Sequence, residues 1–129
     1  MRLHTTCDCF ISTSYGEAWC LPAFDAMGMG KTPICTNYGG PKQFLKDGGG
    51  ILVDGRMEPV FGMQEKMLPH MFVGDECWTS IDVPRLRHFM RHIYEDKATR
   101  QKLAGEGIDN AMNYSYGKIG QLMKEILNG

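Results

Sequence analysis

Glu17 and Asp25 lie eight positions apart, with Leu21 and Pro22 between them opening what reads as a helix. Pro22 suits a first helical turn, where its missing N–H would be unpaired anyway. Leu21, Phe24 and Met27 then give a three-residue apolar rhythm before Gly28 and Gly30 end it. Helical side chains lean toward the amino end, so Asp25, one turn in, can overhang the helix start while Glu17 approaches from the preceding loop. Two carboxylates so placed can each accept charge-assisted hydrogen bonds from ligand hydroxyls. The unpaired N–H groups and partial positive charge of the helix start suit a phosphate. The ligand chemistry implied is a phosphorylated, polyhydroxylated molecule. The helix dipole alone also favours acids near a helix start, and the glycines at Gly39-Gly40 and Gly48-Gly49-Gly50 can equally be simple turns.

These residues need a scaffold, and the flanking sequence supplies one. Cys9-Phe10-Ile11 is a short apolar run ending in Ser12-Thr13-Ser14, a strand followed by a loop through Tyr15-Gly16-Glu17. Thr32-Pro33-Ile34-Cys35-Thr36 is a second strand, with Pro33 tolerated near its start. Strand, crossover helix and strand at this spacing make a right-handed parallel unit. Asn37 to Gly40 follow as a loop, Pro41 to Leu45 as a short helix, and Gly50 to Val53 as a third strand. Ligands bind beyond the carboxyl ends of open parallel sheets, which selects the loops Ser12 to Leu21, Thr36 to Pro41 and Val53 to Gly55.

From about Ile81 the period changes. Val83, Leu86, Met90 and Ile93 recur at helical spacing after Asp82 as N-cap. Lys97 to about Met112 forms a second helix after Asp96, and Ser115 opens a third whose stripe is Ile119, Leu122, Met123, Ile126 and Leu127. The fold class expected is α/β: a Rossmann-like partial domain over 1–129, a small parallel sheet with flanking helices and a C-terminal helical segment. Strands first and helices last is an unusual order for a complete doubly wound domain, so an upstream part is expected. Residues 54 to 80 show no sustained period and carry Met57, Met63, Met67 and Met71 among prolines and glycines. They read as a long insertion-like loop, either a lid or a surface loop whose methionines and Trp78 fill gaps.

A hydrophobic content of 43% against 22% charged residues is enough for a core in 129 residues. The net charge of -1, with no Lys/Arg run, argues against nucleic acid. No apolar stretch is long enough for a transmembrane segment, and Met1 to Thr6 lacks the pattern of a secretory signal, so the chain reads as cytoplasmic. Five cysteines do not pair evenly and read as reduced thiols. His4, Cys7 and Cys9 do not match usual zinc-ligand spacings, and His88 with His92 shares a helix face without an evident third ligand, so no metal site is expected.

The run Asp8 to Met27, continuing through Gly30-Lys31-Thr32-Pro33-Ile34-Cys35-Thr36 to Gly39-Gly40, resembles the donor-binding segment of GT-B-fold retaining glycosyltransferases of family 4. An acid, seven residues and a second acid, set between a strand ending in serine and a Gly-Gly loop, form its signature. With interruptions the resemblance runs from about Leu3 to Leu127. It implies a nucleotide-diphosphate sugar as donor substrate, no metal or other cofactor, and transfer of the sugar to an acceptor hydroxyl with retention. By position it implies that Glu17 is the catalytic-site acid on the transferred sugar and Asp25 holds the ribose. Backbone N–H groups around Cys20 and Leu21 would face the diphosphate or sugar, with Ser14, Gly39 and Gly40 lining the pocket.

The sequence departs from the family pattern at four places. Asp25 replaces the usual Glu, Ala18 and Cys20 stand where glycines are common, Gln43 occupies an often acidic position, and 54–80 is inserted. The resemblance also implies partners outside this segment: an Arg and a Lys that neutralise the leaving diphosphate, and an N-terminal acceptor domain. Without them the isolated chain is expected to be inactive. An uncovered sheet edge and the last helix would favour self-association as a homodimer. Two other readings stay open: a nucleotide-sugar epimerase or glycan synthase of the same fold, and a binding or assembly module that has lost catalysis.

Overall fold

The computed structural model describes residues 2–60 and 75–129. A single helical turn, α1 (Arg2–Thr5), precedes strand β1 (Cys9–Ser12), helix α2 (Leu21–Gly28), β2 (Thr32–Thr36), α3 (Gly40–Phe44) and β3 (Ile51–Val53). The three strands form one parallel sheet in the order β1-β2-β3, with Ser12 opposite Cys35 and Thr36 opposite Val53. Pro33 sits second in β2, opposite Phe10, near the end where pairing begins.

All five residues of β2 are buried, as a central parallel strand requires. Its side chains alternate between two cores. Ile34 packs with Val53 and Ile93, backed by Leu86 and Phe89, on the face covered by α4 (Val83–Glu95). Cys35 packs with Cys20, Ala23, Met27 and Phe44 on the face covered by α2 and α3. Helices therefore cover both faces of this small sheet.

Two caps read from the sequence are made. The Asp82 carboxylate accepts the Arg85 amide at 2.9 Å at the start of α4, and the Asp96 carboxylate accepts the Thr99 amide at 2.9 Å at the start of α5 (Lys97–Ala111). Ser115 holds the N-cap position of α6 (Tyr116–Asn128), but its side chain makes no capping bond. Helix α5 ties the sheet together: the Thr32 hydroxyl donates to the Arg100 carbonyl at 3.2 Å, and the buried Asn110 amide donates to the Phe44 carbonyl. Every residue of α6 is exposed, its stripe of Ile119, Leu122, Met123, Ile126 and Leu127 included.

The 54–80 stretch is not simply a loop. Its described ends are strands β4 (Gly55–Pro59) and β5 (Cys77–Ile81), paired antiparallel from Gly55 opposite Ile81 to Pro59 opposite Cys77. Met63, Met67 and Met71 lie outside the described residues. The strands escaped sequence reading because Arg56-Met57-Glu58 has no apolar alternation and Pro59 counts against a strand; Pro59 is tolerated at a strand end. No helix among the described residues is long and apolar enough to cross a membrane.

Candidate functional site

The loops after β1 and β2 meet beyond the carboxyl ends of the parallel strands. The Gly40 amide donates to the Glu17 carbonyl at 3.0 Å. Contact is so close that a side chain is excluded at both glycines: a Cβ on Gly39 would lie 2.1 Å from the Glu17 carbonyl oxygen, and one on Gly40 2.2 Å from that of Ala18. Gly39 also holds a φ of 64°, which L side chains rarely adopt. The Gly-Gly pair is thus more than a turn, because it seats the backbone that carries Glu17.

The start of α2 is built with strain. Cys20, its N-cap, adopts a left-handed backbone with φ 62° and ψ 63°, the one non-glycine residue with positive φ among the described residues. A side chain there costs about 1–2 kcal/mol. The Cys20 side chain is buried with Ala23, Met27, Cys35 and Phe44, so packing offsets the strain and the thiol faces the core, away from any ligand. The Ala23 and Phe24 amides both donate to the Cys20 carbonyl, at 3.0 and 3.1 Å, and Pro22 has no N–H. This leaves the amides of Cys20 and Leu21 as donors that the helix start can offer an anion. Leu21 and Asp25 are exposed, and Asp25 lies one turn further along α2. Ser14 Oγ lies 3.0 Å from Ser12 Oγ, at the mouth of β1.

Glu17 is half-buried and sits between two anchored aromatics. Trp19 packs into a cluster with Phe44, Phe24 and Tyr114, at ring-centroid distances of 5.3, 5.7 and 5.4 Å. Tyr15 stacks on Trp78 of β5 at 4.4 Å.

Further polar groups lie at the same ends of β2 and β3. Thr36 Oγ1 and Asn37 Oδ1 are buried without a hydrogen-bond partner among the described residues. Buried polar atoms normally find partners, so these two are unmet acceptors at the carboxyl end of β2. Asn37 Nδ2 donates to Asp54 Oδ1 at 2.7 Å, and Arg85 pairs with Asp54 Oδ2 at 2.9 Å. The Asn37 bond, with Arg85 adding to it, holds the Asp54 carboxyl below the usual carboxylate range. Thr36, Asn37 and Asp54 all fall in loops that the strand-end rule selects, which was the available signal; Trp78 and Arg85 come from elements that carry no such signal.

Two cavities lie among the described residues. One of about 870 Å³ runs along the free edge of β1 against α4, lined by Cys9, Ile11, His88, Arg91 and Tyr94 among others. The second, about 610 Å³, opens between Asp54 to Arg56 and Ser80 to Arg85. Glu17 lines neither of these cavities.

The family model described as Glycosyl transferases group 1 matches residues 1–59, the span from α1 through β4 that holds Glu17, Asp25 and the Gly39-Gly40 loop. No curated protein sequence matches the chain. Among solved structures, sucrose-phosphate synthase from Thermosynechococcus elongatus is similar at a TM-score of 0.66 and 18% identity, over 98% of this chain and 27% of that one. At such identity the likeness concerns the fold, and this chain spans about a quarter of that synthase's length. The resemblance to a GT-B glycosyltransferase read from the sequence is borne out, as is the mixed α/β architecture with its three-stranded parallel sheet and flanking helices.

Proposed function

We propose that this chain is the donor-binding part of a family 4 retaining glycosyltransferase, which moves a sugar from a nucleotide diphosphate to an acceptor hydroxyl. The observation that carries the reading is the interlock of Gly39-Gly40 with the Glu17–Trp19 backbone, inside the segment that matches the glycosyltransferase family. In this reading Glu17 is the catalytic-site acid and binds hydroxyls of the transferred sugar. Asp25 takes the ribose, with a reach one methylene shorter than a glutamate's. The amides of Cys20 and Leu21 face the diphosphate, and Ser14, Gly39 and Gly40 line the pocket.

In this reading a second domain binds the acceptor and brings cations to the leaving diphosphate. Removing one transition-state donor costs about 3–4 kcal/mol of barrier, so the 129-residue chain alone should not transfer sugar. No metal or other cofactor is required, since side-chain cations and backbone amides carry the phosphate charge in this scheme. The protein works in the cytoplasm. The bare α6 stripe and free β1 edge promote homodimer formation when unpaired. That stripe is also the observation favouring the second reading, an assembly module without catalysis.

Product analysis decides between these. The polypeptide joined to its acceptor domain and supplied with nucleotide sugars should yield a glycoside whose anomeric proton coupling shows retention. An epimerised nucleotide sugar or an inverted product would refute the assignment, and radiolabelled transfer by the 129-residue chain alone would refute its dependence on a partner domain.

A further inference from the structure

Tyr15 and Trp19 lie two residues to either side of Glu17, and different parts of the protein hold them. Trp19 is fixed by the core cluster of Phe24, Phe44 and Tyr114. Tyr15 is held by the β4–β5 hairpin alone among the described contacts: its ring stacks on Trp78 at 4.4 Å with planes 21° apart, and its carbonyl accepts the Thr79 amide at 2.9 Å. The Thr79 side chain is buried, and its hydroxyl donates to Met57 Sδ at 3.2 Å, so both hairpin strands are tied together where Tyr15 docks. Between Tyr15 and Glu17 stands Gly16, exposed and with nothing within 4 Å of where a Cβ would project. A glycine in open space is a free link, so release of Tyr15 would loosen the loop on the amino side of Glu17 and leave only Gly39-Gly40 and Trp19 to hold it.

We infer that the hairpin is a positioning arm for the acidic loop: Trp78 and the Thr79 amide hold Tyr15 and thereby set the place of Glu17. Trp78 and Thr79 lie on β5, beyond the residues 1–59 that match the glycosyltransferase family, whereas β4 ends that segment. Neither is a catalytic residue; each acts through Tyr15. If only part of the population holds the loop in place, apparent donor affinity falls by that fraction. An offset aromatic stack of this kind corresponds to roughly a two- to tenfold change in an equilibrium constant. The affinity consequence rests on the donor-site reading above, whereas the tether itself does not.

Amide hydrogen exchange on the folded chain tests the tether without any ligand. In Trp78→Ala, the amides of Thr79 and Gly40, which donate to the Tyr15 and Glu17 carbonyls, should exchange about two- to tenfold faster, while the Ile34 and Met27 amides keep their rates. Trp78→Phe should restore most of the protection, which a general loss of stability would not do. Tyr15→Leu, which leaves the hairpin sequence intact, should reproduce the effect if Trp78→Ala fails to fold. Unchanged exchange at the Thr79 and Gly40 amides in either variant overturns the inference. Titration with UDP-glucose and GDP-mannose is the second arm. Where the parent chain binds either probe, Trp78→Ala should weaken binding two- to tenfold with Trp78→Phe recovering it, and equal affinity in all three overturns the positioning role. Failure of the parent to bind any nucleotide sugar counts against the donor-site reading, while the exchange rates still decide the tether.

Discussion

Substituting Gly40 with alanine attacks the interlock on which the site depends. The added Cβ would lie 2.2 Å from the Ala18 carbonyl oxygen, 2.3 Å from Trp19 Cα and 2.7 Å from the Ala18 carbonyl carbon. All three are backbone atoms, so no rotamer change relieves the clash and one loop must move by about 1 Å. That movement breaks the 3.0 Å bond from the Gly40 amide to the Glu17 carbonyl, at a residue that is buried. Overpacking costs about 1–3 kcal/mol and an unmade buried hydrogen bond about 1–3 kcal/mol, so a total near 2–4 kcal/mol is expected after partial relaxation. For a chain of this size that is a fall in Tm of roughly 6–20 °C. Gly105 is the control: it lies inside α5 with nothing within 4 Å of its would-be Cβ, so Gly105→Ala should stabilise by about 0.5–1 kcal/mol. Differential scanning calorimetry of both variants reads the difference. If Gly40→Ala melts within about 2 °C of the parent, the loops are not interlocked as described and the reasoning fails.

Three further outcomes follow from the same contacts. Asp82→Ala removes the side-chain acceptor of the Arg85 amide and should lower stability in urea by about 1 kcal/mol with an unchanged m-value. Asp96 is held below the usual carboxylate range by the Thr99 amide and hydroxyl. Its stabilisation is therefore fully present above the unfolded carboxylate pKa of about 4 and is lost as pH falls through the lower folded value, so thermal melts from pH 5 to pH 2 should drop less steeply in Asp96→Asn. Burial pushes the Cys35 thiol up to about 12 and the Cys9 thiol up to about 11. A brief iodoacetamide pulse at pH 7.5, read by mass spectrometry, should accordingly label exposed Cys77 and spare Cys9 and Cys35 until denaturant is added.

Much of the positioning scaffold was legible because it rests on local signals. Cys9 to Ile11, Thr32 to Thr36 and Ile51 to Val53 are apolar runs bounded by turn residues, and they form the three strands. Asp82 and Asp96 announce helices by capping chemistry, and both make the expected bonds. The β4–β5 hairpin was not legible, because its stability comes from cross-strand partners and from Tyr15 rather than from an alternating pattern. At the site, Glu17 and Gly39-Gly40 were found by type and spacing, but their contact is tertiary: nothing local shows that Gly40 must be bare to admit the Ala18 carbonyl. Cys20 illustrates the opposite case. A cysteine where the resembled family pattern commonly has glycine suggests a backbone restriction, yet the chain keeps the left-handed conformation and stabilises it by burying the thiol. Thr36 Oγ1 and Asn37 Oδ1 stand out only once burial is known, since hydroxyl and amide residues in a loop are otherwise unremarkable.

The central claim is that Glu17, seated by Gly39-Gly40, holds a nucleotide-diphosphate sugar. The direct measurement is an NMR titration of the 129-residue chain with a panel of nucleotide-diphosphate sugars, alongside Glu17→Ala. On the proposed scheme, in which a second domain supplies the cations, the expected affinity is weak, on the order of millimolar, with saturable shifts centred on residues 14–21 and 36–40. Glu17→Ala should keep the fold and its Tm while losing those shifts. Saturation by no member of the panel, or equal binding by Glu17→Ala, would contradict the account.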